Sequence, residues 1–394
     1  MTELLAPAGD LEKLKIAILY GADAVFIGGQ EFSLRARASN FTLDDIKAGA
    51  QFAHDHGKKL YVTTNIIPHN ENMADLIEYL KGLEDAKVDA IIAASPYIVK
   101  TALEHTKIPV HISTQQSVVN THAVKFWQDL GAERVVLGRE LDIHEIKEIT
   151  AQSEVEIEVF IHGGMCASYS GRCTLSNNMT DRDANRGGCA HSCRWNYDLY
   201  SGDEKISEES MPFSMSSKDL QTLAFIPSLI DANVASLKIE GRMKSIHYIA
   251  TVVRSYRLLM DEYIETGTVK DMSIYENEIR KAENRLTSYG FMDGIPKAEQ
   301  QLYNLRSEEP TKEFLGIVVD YDKDTQIATI EQRNYFKPDE EIELVGPKYQ
   351  RRMIVGEIKD TDGNLLDAAR HPKQILKIAI PFEVKPFDMV RKVL

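Results

Sequence analysis

The chain opens Leu4-Leu5-Ala6-Pro7-Ala8-Gly9-Asp10-Leu11-Glu12-Lys13-Leu14-Lys15-Ile16-Ala17-Ile18-Leu19-Tyr20-Gly21-Ala22-Asp23-Ala24-Val25-Phe26-Ile27-Gly28. A short apolar run, Leu4 to Ala6, is followed by Asp10, by a stripe of Leu11, Leu14 and Ile18 at helical spacing, and by Gly21. Aspartate caps a helix by accepting hydrogen bonds from its first N–H groups, and glycine supplies the left-handed residue that ends one. A second apolar run, Ala24 to Gly28, follows at once. Strand, helix and strand in so short a span predict a βαβ unit and therefore a parallel sheet.

The alternation continues outward from this unit. Strands are predicted near Leu4-Ala6, Ala24-Gly28, Leu60-Asn65, Ala90-Ala93, Val110-Thr114, Arg134-Leu137, Ile157-Ile161 and Ser236-Glu240. Between them Thr42 precedes Leu43, Ile46 and Phe52, Ser95-Pro96 pairs a cap with proline at the first helical position, and Asp142 precedes Ile143, Ile146 and Ile149. Eight strands alternating with helices predict a closed (β/α)8 TIM-like barrel over residues 1–300. Helices are also read over Ile246–Tyr263 and Ile274–Leu286. From Phe314 the pattern changes to short alternating runs separated by Asp, Gly and Pro turns, so a small β-barrel domain is expected over 313–394.

Composition narrows the function classes. With 43% hydrophobic and 27% charged residues the chain reads as globular. No apolar run approaches the ~18 residues of a membrane span, and Met1-Thr2-Glu3 leads straight into the first strand, so no membrane partner and a cytoplasmic location are expected. Lys and Arg total 46 against 60 Asp and Glu, a net charge of −14, so any contact with nucleic acid needs a local basic patch. Four cysteines in 394 residues are too few for a disulfide scaffold.

All four cysteines fall between the seventh and eighth strands, in an interval far longer than the others, and long insertions in compact domains are usually functional. The segment reads Glu158-Val159-Phe160-Ile161-His162-Gly163-Gly164-Met165-Cys166, then Gly171-Arg172-Cys173-Thr174-Leu175-Ser176, then Gly187-Gly188-Cys189-Ala190-His191-Ser192-Cys193. Six, fifteen and three residues separate the cysteines in turn. Two close pairs supply four thiolates to one centre, a structural zinc ion or a [4Fe-4S] cluster. The gaps differ from the two-residue spacing of zinc ribbons and the loop (163–195) extends from the presumptive catalytic face, which favours the cluster. The sulfurs of Cys166, Cys173, Cys189 and Cys193 are expected to converge on one point, with Arg172, Arg186 and Arg194 compensating the negative charge. Only Asp181 and Asp183 oppose Arg172, Arg182, Arg186 and Arg194 here, making this the basic patch open to a nucleic acid. The bland reading is a set of inert buried thiols.

Active sites of such barrels gather at the C-terminal ends of the strands. Those ends nominate His162, Arg139 and Glu240 as catalytic residues, and Arg35, Arg37, Asn65, Gln115 and Arg242 as substrate-binding ones, with Lys218 and Lys238 as further cations. Paired surface charges, or a merely packed histidine, are the competing reading. His144-Glu145 begins a zinc-protease pattern that fails at Glu148, where the second histidine belongs. No G-x-S-x-G elbow, P-loop or G-x-G-x-x-G fingerprint occurs, although a peptidase with distant partners stays open.

The run Glu158-x-Phe160-x-x-Gly163-Gly164-Met165-Cys166, four residues, Gly171-x-Cys173-x-Leu175-Ser176 resembles the signature of the collagenase-like, formerly unassigned peptidase family 32. Gly164 stands where that signature usually has Ser or Ala, a departure conservative in size. Leu4 to Asp10, Gly21 to Gly29 and the β-rich C-terminal segment also look like this family, so the likeness covers nearly the whole chain. Within the family the chain most resembles the longer bacterial form of the branch that converts the wobble uridine of tRNA to 5-hydroxyuridine. The resemblance implies a [4Fe-4S] cluster on the four cysteines, tRNA as substrate, prephenate as co-substrate and a shorter paralogous partner subunit. The older family name implies a collagenase-like peptidase instead, and a non-catalytic cluster-bearing subunit is the third reading.

Overall fold

Every residue of Ala24-Val25-Phe26-Ile27-Gly28 is buried, as a strand must be when helices cover one face and side chains fill the space on the other. Alternation sorts those side chains into two clusters. Val25, Ile27, Leu60, Val62, Ile91 and Ala93 join the core shared with the helices, whereas Leu5, Ala24, Phe26, Tyr61, Ala90 and Ile92 form a separate cluster inside the ring. In this computed structural model, residues 2–34, 41–208, 212–282, 285–302 and 314–393 are described.

The strands are β1 (Glu3–Pro7), β2 (Ala24–Gly28), β3 (Lys59–Thr64), β4 (Ala90–Ala93), β5 (Val110–Ile112), β6 (Arg134–Val136), β7 (Glu156–Gly163) and β8 (Ser236–Ile239). Each pairs in parallel with the next, and β8 pairs back on β1 with Ser236 opposite Glu3, which closes the barrel. Strand β5 ends earlier than expected because the Ser113 side chain accepts from Gln115 N and starts a helical turn, Thr114–Gln116. Asp10 caps the helix Leu11–Leu19, and Thr42 and Asp142 each form reciprocal capping boxes, with Asp45 and Glu145. After β8, helices run over Ile246–Thr266 and Met272–Arg280; the second ends earlier than the sequence pattern suggests. No described helix is long and apolar enough to cross a membrane.

Between β7 and β8 the chain leaves the barrel, making short helical turns and the helix Leu175–Thr180. It returns through the strand Asp219–Gln221, which lies antiparallel to the end of β7 with Leu220 opposite Gly163. Ile67 N donates to Asn185 O at 3.0 Å, and Arg186 reaches Asn72 at 3.1 Å and pairs with Glu71, so the insertion is stapled to the loop after β3.

From Phe314–Asp322 to Met389–Lys392, eight strands form a separate antiparallel sheet around its own core of Leu315, Val318, Ile330, Phe336, Leu344 and Leu376. It docks on the barrel through buried polar contacts. The Tyr20 hydroxyl donates to Val345 O at 2.7 Å, and Arg391, 1% exposed, meets Glu278 and Glu343 at 2.6 Å each.

Candidate active site at the barrel mouth

The ends of β2, β3, β5, β7 and β8 and the returning insertion enclose a cavity of about 200 Å³. Its floor is charged. Lys238 of β8 is 3% exposed and its Nζ lies 2.7 Å from Glu158 Oε1, while the other carboxylate oxygen meets Arg134 at 3.1 Å. Arg134 continues to Glu3 at 2.7 Å. Burial alone would raise the Glu158 carboxyl; the two cations outweigh it and hold it below the usual carboxylate range. Burial likewise pulls the Lys238 ammonium down, against the attraction of Glu158. The Lys238 ammonium also stands 4.4 Å from the Phe26 ring centroid and 5.3 Å from that of Phe160.

Five of the expected strand-end residues complete the walls. Arg139 lies 3.9 Å over the Phe160 ring and donates to Gly164 O at 2.5 Å. Arg242 is buried and donates to Thr63 Oγ1 at 3.1 Å and Ser33 Oγ at 3.3 Å. Its guanidinium occupies the space a side chain at Gly28 would need, so that glycine admits it. Glu240 accepts from Gly164 N at 3.1 Å. The adjoining Gly163 has φ +114°, and a Cβ there would strike the Glu240 carbonyl, which explains why the strand ends on glycine. Asn65 donates to Gln115 Oε1 at 2.8 Å, and Gln115 Nε2 is buried with no partner among the described residues.

His162 is a correction to the expected set. Its ring does not line the cavity; it is 1% exposed, with ring centroids of Tyr248 and Tyr256 at 5.7 and 5.6 Å. Burial, then Lys244, push its pKa down to about 3, against Glu240. Arg35 and Arg37 lie outside the described residues. The charged floor was the part sequence reading missed: Lys238 was noted only as a possible cation, and Glu158 and Arg134 had no role. Glu158 and Phe160 sit two apart in β7, the spacing that puts both on the inner face, and this was the available signal.

All four cysteines line this cavity. Cys166 and Cys189 are exposed, Cys173 and Cys193 half-buried. Burial, then the nearby Cys166 and Cys189, push the Cys193 thiol up, and Arg194 opposes them. Leu175 N donates to Cys173 Sγ at 3.3 Å. Among the described residues no three His, Cys, Asp or Glu side chains are grouped so that they could hold one metal ion, so the expected convergence of the four sulfurs on one point is not seen; the thiols share the cavity wall. A single zinc needs all its ligands at one centre, whereas a cubane takes one thiolate at each iron and its ligands stand around a body. By chemistry alone the four thiols are a donor set that either group could use. Of the arginines expected to balance it, Arg194 lies beside Cys193, while Arg186 is engaged by Glu71.

Comparison with known proteins places these features in context. The profile of Peptidase family U32 matches residues 9–302, and that of the Peptidase family U32 C-terminal domain matches 310–391. The chain is 50% identical to tRNA hydroxylation protein P1 of Bacillus subtilis, covering 99% of this chain and 94% of that one. It is 32% identical to tRNA hydroxylation protein P of Escherichia coli, covering 97% and 94%. To a collagenase of Porphyromonas gingivalis it is 34% identical, covering 74% and 72%.

Proposed function

The chain belongs to peptidase family U32, and from that premise we propose that it is an RNA-modifying hydroxylase acting on tRNA. The finer reading is formation of 5-hydroxyuridine at the wobble position, with prephenate as co-substrate, a [4Fe-4S] cluster on Cys166, Cys173, Cys189 and Cys193, and a shorter paralogous partner subunit, in the cytoplasm. The observation that carries it is that four thiols and three cations, Arg139, Lys238 and Arg242, line one cavity. Replacing a ring hydrogen by hydroxyl is a two-electron oxidation, so it requires an oxygen donor and a final acceptor for two electrons besides this chain's residues, and a redox group beside the base would only relay them. When bound, the cluster would supply one-electron transfer at the cavity rim.

The chain's own residues supply binding and shielding. Arg139, Lys238 and Arg242 suit a small dicarboxylate such as prephenate, and the unpartnered Gln115 Nε2 is a further donor. Phe26 and Phe160 keep the floor dry around Lys238, which strengthens its hold on an anion. A wobble base is already unpaired, so drawing it to the cysteine loop costs less than opening a duplex. The net charge of −14 opposes tight RNA binding, which leaves docking to the basic cysteine loop and to the partner subunit.

Proteolysis is the second reading, favoured by the similarity to the Porphyromonas gingivalis collagenase. His162, a catalytic candidate from its strand-end position, is buried and does not line the cavity. The test is deletion of the gene together with any redundant oxygen-dependent hydroxylase, followed by mass spectrometry of tRNA nucleosides. Loss of 5-hydroxyuridine derivatives is expected. Unchanged tRNA, with unchanged ribosomal RNA and quinone hydroxylation, would return proteolysis to first place.

A further inference from the structure

Cys166 has a second side. With Met165 and Ala167 it also forms the wall of a neighbouring cavity of about 350 Å³, outside the barrel ring, between the returning insertion and the segment after Ser288. That volume is within the range of roughly 300–1,000 Å³ typical of small-molecule sites. The two spaces share this three-residue partition and differ in chemistry. The first has a cationic floor; the second is bounded by Phe213 and Phe291, with Ser217, Gln300, Gln301 and the single cation Lys218 among its lining.

The walls of this second cavity are fixed by backbone pairing. Lys218 N donates to Gln300 O at 2.9 Å, Leu302 N to Ser216 O at 2.8 Å, and Ser217 bridges Gln301. Arg285, paired with the buried Asp219, donates to Ser217 O at 2.8 Å and anchors the floor. Yet Ser217 Oγ is buried and has no hydrogen-bond partner among the described residues. A buried hydroxyl is ordinarily satisfied, so one left open on a cavity wall points to a polar ligand.

We infer that this cavity seats a single unpaired pyrimidine base of the RNA, placing it against Cys166 on the side opposite the cationic cavity. The inference rests on the RNA reading above and gives it a substrate seat. Aromatic rings with amide and hydroxyl groups at their edge match such a base: the phenylalanines offer stacking faces, and the glutamine amides and Ser217 offer both donors and acceptors to its imide edge. The assignment also divides labour. A small anion and a base would enter from different sides and meet only at the cysteine partition, so neither need displace the other.

Fluorine NMR of a hairpin RNA carrying 5-fluorouridine at an unpaired loop position tests this on the anaerobically purified full-length protein, without requiring turnover. A saturable shift of the fluorine resonance is expected. Phe213→Ala and Gln301→Ala should each weaken it by about tenfold, with iron content and thermal melting unchanged; Gln301→Glu serves as the variant least able to disturb folding. A shift indifferent to all three substitutions, or no shift at saturating RNA, overturns the inference. So does displacement of the RNA signal by a glycine- and proline-rich peptide that the same substitutions weaken, which would make the cavity a peptide subsite. If tRNA hydroxylation is present in the deletion assay but the shift ignores Phe213, the base seat fails and the hydroxylase reading stands. If the shift depends on Phe213 and hydroxylation is absent, the seat stands and the hydroxylase reading fails.

Discussion

At the barrel floor Glu158 is fully buried between Lys238 at 2.7 Å and Arg134 at 3.1 Å, on strands whose neighbours pair on both sides. Over the barrel mouth Cys166 and Cys189 are exposed, and Ser170, Asp181 and His191 all hold left-handed backbone. The floor satisfies its own charges and gains its order from closure of the sheet. The insertion has short helical turns, a few staples to the β3 loop and four thiols along the cavity wall. One region is braced by buried ion pairs; the other presents exposed and half-buried thiols to the cavity. The two should therefore answer perturbation differently, the floor through stability and the insertion through the bound group and activity.

The largest effect is expected at the insertion. Cys166→Ala should abolish visible absorption and iron in anaerobically purified protein, and with them tRNA hydroxylation, because a cubane lacking one thiolate is open to solvent and oxidation. Its melting temperature should match that of iron-free wild-type protein. Stoichiometric zinc in place of iron under the same purification would sink the cluster assignment.

The floor should respond the other way. Glu158→Gln leaves Lys238 and Arg134 buried with one fewer counter-charge, and a loss of about 3–5 kcal/mol is expected in urea denaturation. Combining Glu158→Leu with Lys238→Met should recover much of that stability while hydroxylation stays low, since Lys238 lines the cavity. If the single variant melts like wild type, the floor does not carry the role assigned to it.

Acid should expose a third contribution, spread over several pH units. The buried His162 ring has a folded pKa of about 3 against the ordinary 6.5. Between those values the unfolded chain takes up a proton that the folded chain refuses, so this contribution is present above pH 6.5 and is lost as the pH falls toward 3. The slope is at most about 1.4 kcal/mol per pH unit. His162→Phe should remove it from the pH dependence of stability while hydroxylation persists. Loss of activity with an unchanged slope would restore the catalytic role that the strand-end position suggested.

The smallest effect separates the regions once more. Tyr200 lies in the insertion and is exposed, so Tyr200→Ser should change stability by no more than about 0.5 kcal/mol in the same urea assay. A cost of several kcal/mol would mean that the insertion is a packed part of the core after all.

From the sequence alone came the eight strands, their order around the barrel, the change to antiparallel β structure near Phe314, and the four cysteines as one set. These are local signals: apolar period, caps at Asp10, Thr42 and Asp142, and the crowding of cysteines into one interval. The tertiary structure alone decided which side chains face the cavity. His162 and Glu240 both stand at strand ends, but Glu240 lines the cavity while His162 is packed against Tyr248 and Tyr256. Lys238 finds Glu158 only because closing the barrel sets β8 beside β7 in the register Lys238 opposite Phe160. The second cavity exists because the returning strand Asp219–Gln221 pairs with Thr287–Ser288 as well as with β7. Such contacts join residues far apart in the chain, and their geometry is fixed by barrel closure and by packing of the insertion, neither of which is written in any local run of residues.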